Sequence, residues 1–198
     1  MHETPEDLRQ LQDLLDCSFA SQGEHMRSLI TPDRRITATE LAGILTGMRL
    51  LSLATVTRDG RPRNAPVDGF FFRGAWWFGS APHSLRMRHI RERPDVSATH
   101  LDGERLGIMI HGTAEIIDQD SAAFTEFFDC VAAIYGDWWP KQMAAWREEW
   151  GEPAPYARIA AERMHIFASR EQIGLPPLPA EASAPEEPLP PSAPPPAT

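Results

Sequence analysis

Apolar residues recur at helical spacing at Leu8, Leu11, Leu14 and Leu15, which predicts a helix from Pro5 to about Phe19 with one face on a core. Ser21 to Arg35 shows no period and reads as an irregular connection. Thr37-Ala-Thr-Glu40 is a capping-box start for a second helix carrying Leu41, Ile44 and Leu45. The pattern then changes. Leu50–Thr57 is apolar and β-branched, Arg58-Asp59-Gly60 has turn chemistry, and an extended run follows through Phe72. Ala75–Gly79 is a short aromatic strand. A helix opening near Ser84 and closed by Pro94 comes next, then a strand over Asp95–Leu101 and a turn at Asp102-Gly103.

Gly107–Asp118 alternates, with Ile108, Ile110, Gly112, Ala114 and Ile116 on one face and Met109, His111, Thr113 and Glu115 on the other. Gly112 leaves room for another backbone or a flat ligand. Helices are expected over Ser121–Tyr135 and Asp137–Trp150, and a last strand over Tyr156–Ala168. Runs of strands broken by helices, without regular strand–helix–strand winding, point to an α+β fold. From Leu175 the chain is rich in proline and is expected to be a disordered, solvated tail. The expected organisation is a helical segment over residues 1–48, a main domain over 49–174 and the tail over 175–198.

Composition narrows the function classes. Of 198 residues, 42% are apolar and 24% charged, ordinary for one globular domain, and the net charge of −9 argues against nucleic acid or an anionic membrane as partner. Two cysteines, Cys17 and Cys130, make neither a disulfide framework nor a zinc site. No membrane-length apolar run and no signal peptide are visible, so a cytoplasmic location is expected.

Against this acidic background the helix after Ser80 is basic, with Arg86, Arg88, Arg91 and Arg93. Its start combines free N–H groups, the Ser84 hydroxyl and guanidinium groups, a chemistry suited to phosphate; a solvated helix face is the plainer reading. His83 and His89 have no usual metal-ligand spacing, and no metal is expected. His111 reads either as a cleft residue or as an exposed strand histidine. The Trp139, Met143, Trp146 and Trp150 stripe reads either as packing or as the wall of an aromatic site.

Six pieces in order carry a resemblance: Ala54-Thr55-Val56, Asp59-Gly60-Arg61-Pro62, Phe78-Gly79-Ser80, Ser84-Leu85-Arg86, Pro94-Asp95-Val96 and Gly112-Thr113-Ala114. Together they resemble the FMN-binding split-barrel superfamily, which includes the pyridoxamine 5'-phosphate oxidases and the flavin/deazaflavin oxidoreductases. The resemblance implies a six-stranded antiparallel split β-barrel with peripheral helices, and a homodimer with its cofactor sites at the subunit interface. It implies a phosphate held by Ser84 and Arg86 with Ser80 or Arg88 assisting. Arg63, Asn64, Ala65, Pro66, Val67 and Asp68 would run along the cofactor, and Phe78 and Gly79 would border it. The implied activity is FMN-dependent hydride transfer to or from a small organic substrate, with no catalytic dyad or triad, since the flavin carries the chemistry.

The chain departs from the oxidases proper. Ala65 and Phe70 fall within their R-x-x-x-L-K pattern, Ser84-Leu85-Arg86 replaces their S-R-K, and their R-L-H-D-R ending is absent. Synthesis of pyridoxal phosphate is therefore not expected. FMN and the deazaflavin F420 both remain open as cofactor. A flavin carrier or sensor, and a haem-binding barrel with a histidine ligand, are the other readings.

Overall fold

The computed structural model describes residues 2–178, so the expected tail falls, from residue 179 on, outside the described residues. Helix α1 (Pro5–Ala20) opens with Thr4 and Asp7 capping each other reciprocally, and α3 (Ala38–Ile44) with Thr37 and Glu40 doing the same. Between them lies α2 (Glu24–Leu29), followed by a single 3-10 turn over Pro32–Arg34. The irregular connection expected there is thus partly helical. The helix spans six residues and buries none of them, so it leaves no apolar period to read.

Six strands follow: β1 (Met48–Val56), β2 (Pro62–Phe72), β3 (Ala75–Gly79), β4 (Asp95–Asp102), β5 (Leu106–Ile116) and β6 (Tyr156–Ala168). Helix α4 (Leu85–Glu92) lies between β3 and β4, and α5 (Ala122–Tyr135) and α6 (Trp138–Trp150) lie between β5 and β6. The strands close into an antiparallel barrel in the order β1-β2-β3-β6-β5-β4, which is the expected α+β six-stranded barrel with peripheral helices.

Strand alternation sorts side chains into two cores. Leu51, Leu53, Val67, Phe71, Trp76, Phe78, Ile108 and Ile110 fill the barrel, where α1 and α3 add Leu11, Leu15 and Leu41. The opposite face of β2, β3 and β6 carries Phe70, Phe72, Trp77 and Tyr156, which α5 and α6 cover with Phe124, Phe127, Val131 and Trp139. The neighbours Trp76 and Trp77 therefore serve different cores, as the two-residue period requires.

Gly112 admits a backbone rather than a ligand. A Cβ there would lie 2.1 Å from the Ala160 carbonyl oxygen, where the β5–β6 register shifts by one residue between His111 and Gly112. At the end of β6, Arg170 is buried, and its guanidinium donates to Glu40 and to the Arg35 and Pro176 carbonyls. Leu175 packs on the barrel core beside this tie.

Candidate functional site

The site begins with an unpaired strand edge. Strand β2 pairs with β1 from Pro62 to Phe70, but with β3 only from Gly69 to Phe72. Residues before Gly69 therefore have a free side away from β1. The Pro66 carbonyl points to that side, where it accepts from Arg86 Nη2 at 2.8 Å. A residue's N–H and C=O share one side of a strand, so Asn64 and Asp68 present their peptide groups there too. Pro62 and Pro66 lack an N–H and are tolerated only at such an edge. The side chains of Arg63, Asn64, Ala65, Pro66 and Asp68 are exposed, on both faces of the strand, and Val67 alone turns into the barrel.

Helix α4 faces this edge. Ser84 is its N-cap, and its Oγ accepts from the Met87 N–H at 3.2 Å and from Ser80 Oγ at 3.0 Å. The Ser84 hydroxyl proton has no acceptor among the described residues, and neither the Leu85 nor the Arg86 N–H has one. Arg86 Nη1 reaches Ser80 Oγ at 3.3 Å, and among the described residues no carboxylate pairs with Arg86. Burial alone pulls its pKa down, as expected of a guanidinium without a counter-charge.

Two hollows share Arg86 as a wall, and another adjoins one of them. One of about 360 Å³ is lined by Leu53, Thr55, Arg63, Ala65, Ser84 and Arg86, with His89. A second of about 500 Å³ adjoins it, where Arg63 and Arg88 share walls with Arg58 and Glu92. The third, of about 530 Å³, lies beyond Arg86 over the outer face of β2, between Asp68 and the tryptophans of α6.

The residues expected from the sequence thus divide. Ser80, Ser84 and Arg86 come into direct contact, and Arg63 and Ala65 line the same hollow as Ser84 and Arg86. Pro66, Val67, Asp68 and Gly79 border the third hollow, and Arg88 the second. Phe78 points into the barrel core, and the Asn64 Oδ1 accepts from Ser52 at 2.9 Å. Arg91 and Arg93 hold the carbonyls of Pro82 and Val56 and so fasten α4 to its surroundings. His111 is exposed on the outer face of the barrel, with Nδ1 2.6 Å from Ser97 Oγ, and lines none of the three hollows.

Sequence reasoning missed the pairing of His89 with Thr55. Both are buried, His89 Nδ1 lies 2.9 Å from Thr55 Oγ1, and both line the hollow beneath Ser84. The one available signal is that His89 follows Arg86 by three residues, which places it on the neighbouring helix surface.

A guanidinium without a carboxylate, a hydroxyl with a free proton, two free helix N–H groups and a second arginine form a donor set for an oxyanion. A phosphate fits that set, and a neutral group would leave the Arg86 charge uncompensated.

Comparison with known proteins agrees with this architecture. Solved structures share the fold, two of them as follows. A conserved hypothetical protein from Mycobacterium tuberculosis superposes with a TM-score of 0.55 at 22% identity, covering 75% of this chain and 94% of the other. The heme storage protein HutZ from Vibrio cholerae gives 0.53 at 16% identity, covering 66% and 92%. No curated protein sequence matches the chain. Residues 37–166 match the family described as Pyridoxamine 5'-phosphate oxidase, a span from the cap of α3 through most of β6, and the chain belongs to that family.

Proposed function

We propose that the chain binds a flavin, FMN in the first place, and acts as an oxidoreductase on a small organic substrate. The observation that carries this reading is Arg86, which is partly buried, has no carboxylate among the described residues, and lies against the Ser80–Ser84 hydroxyl pair and the free edge of β2. The phosphate would lie at Ser84 and Arg86 with Arg63 opposite. The ring system would run along the Asn64–Asp68 edge, whose peptide groups suit the alternating donors and acceptors of an isoalloxazine. When bound, the flavin supplies the hydride chemistry. The protein binds the phosphate, orients the ring and shields one side of it with the α5–α6 layer.

F420 is the alternative cofactor, because the same phosphate site accepts it. A homodimer is part of the proposal. Leu50 on β1 and Leu101 on β4 are 57% and 68% exposed on the uncovered outer face of the barrel, and a second copy there would bury them beside the open edge of β2.

The test is an absorption spectrum of the purified protein before and after separate addition of FMN and F420. A two-banded flavin spectrum retained through desalting is the expected result. A single deazaflavin band retained only with F420 moves the protein to that cofactor. A strong haem Soret band, or no retention of either cofactor, overturns the reading.

A further inference from the structure

The hollow between β2 and α6 has a composition the phosphate site does not explain. Its wall is aromatic: Tyr135, Trp138, Trp139, Trp146 and Trp150 all line it. Tyr135 and Trp139 stack at 5.4 Å, and Trp146 and Trp150 stack at 5.4 Å with their planes 9° apart. Trp138 belongs to neither stack and is 51% exposed, a large ring at the mouth of the hollow. Such a ring has aromatic surface left for a ligand.

Among the described residues, Asp68 and Arg86 are the charged ones that line this hollow. Arg86 donates to the Pro66 carbonyl and to Ser80, and its charge belongs to the phosphate site. Asp68 has no ion-pair partner among the described residues. Burial pushes the Tyr135 and Tyr156 hydroxyls above their usual range, with a further push on Tyr156 from Tyr135 and a smaller one on both from Asp68. The arrangement is therefore an unpaired carboxylate in a hollow walled by several aromatic rings. Both components attract a cation once the Arg86 charge is met by the anion of the phosphate site.

We propose that this hollow binds a flat organic cation, an aromatic or quaternary amine, with its charge at Asp68 and its ring against Trp138 and the α6 stack. The assignment of that compound as the substrate rests on the flavin reading, because the hollow adjoins the edge proposed to hold the flavin ring. The binding itself does not.

The experiment is calorimetric titration of the full chain without added flavin, at pH 8 in inorganic phosphate that occupies Arg86, with three bicyclic probes of similar size. N-Methylquinolinium is the cation, quinoline the neutral compound and 1-naphthoate the anion. The cation is expected to bind about tenfold more tightly than either of the others. Asp68→Asn, an isosteric change at an exposed strand position, is expected to remove that preference and leave quinoline unchanged. Trp138→Ala is expected to weaken the cation while the fold, followed by circular dichroism, stays intact. Equal affinities for the three probes, tightest binding of naphthoate, or an unaltered preference in Asp68→Asn would overturn the proposal. Failure to retain FMN with the cation preference intact removes the flavin reading alone. Retention of FMN without the preference removes this inference alone.

Discussion

Arg86 on α4 and Pro66 on β2 are joined by a 2.8 Å hydrogen bond from guanidinium to carbonyl, and this bond ties a helix to the stretch of β2 that β3 does not reach. The guanidinium thereby meets one backbone acceptor and the Ser80 hydroxyl, and keeps its remaining N–H groups for an anion.

Replacing Arg86 by alanine is expected to weaken FMN binding by about 1.5–3 kcal/mol, the usual worth of a hydrogen bond to a charged group. Riboflavin, which has no phosphate, should lose far less. Fluorescence titration of both compounds against the wild type and Arg86→Ala checks this, and an equal loss for both would place the phosphate elsewhere.

Ser84→Ala separates a structural role from a binding one. The Ser84 Oγ caps α4 through the Met87 N–H, so its removal should cost about 1 kcal/mol of stability, whether or not cofactor is present. Arg86→Ala should show no comparable shift in urea midpoint without cofactor, because its partners lie at the rim of the site.

Gly112→Ala is expected to destabilise the barrel by about 1–3 kcal/mol or more, as overpacking does. The added methyl group would collide with the Ala160 carbonyl at 2.1 Å, and backbone has less freedom to retreat than a side chain. Thermal melts of the variant and of Gly103→Ala, where nothing stands within 4 Å of the new Cβ, compare a clash with a strained glycine turn.

Glu40 gives the fold a defined acid sensitivity. Hydrogen bonds from Arg170, and less from Thr37, hold its carboxyl below the ordinary value of 4.5. A depressed folded-state pKa means that the stabilisation is fully present above about pH 4.5 and is lost as pH falls through the lower folded value. Urea midpoints between about pH 6 and pH 3 should fall more steeply for the wild type than for Glu40→Gln. At pH 7 the variant should itself be less stable by about 3 kcal/mol, since Arg170 stays buried with its charge uncompensated.

Much of the barrel was legible because its signals are local. The alternation in β5, the aromatic run of β3 and the Ser121 cap of α5 each lie within a few residues. Ser84 and Arg86 were legible for the same reason, since cap and guanidinium are neighbours on one helix start. Helix α2 was not, because it buries nothing and so imposes no pattern. The Thr55–His89 pair is 34 residues apart in the chain and is made only when α4 settles on β1. Gly112 signalled a close approach, but the choice between a ligand and the Ala160 carbonyl depends on a one-residue register shift in another strand. The two-sided use of β2 was hidden as well, because its free edge follows from the shortness of β3.

The position of β6 has a consequence for how the protein is made. This strand is the last of the six in chain order, yet it lies between β3 and β5, and its pairing with β5 runs from Leu106 to Ile116. Until Tyr156–Ala168 has emerged, two strand edges stay open and the apolar interior stays wet, so a nascent chain stopped at Pro155 should be protease-sensitive and prone to self-association. Completion is then a single late event in which one strand seals both edges and brings Arg170 to Glu40. Closure of this barrel therefore waits for its sixth strand.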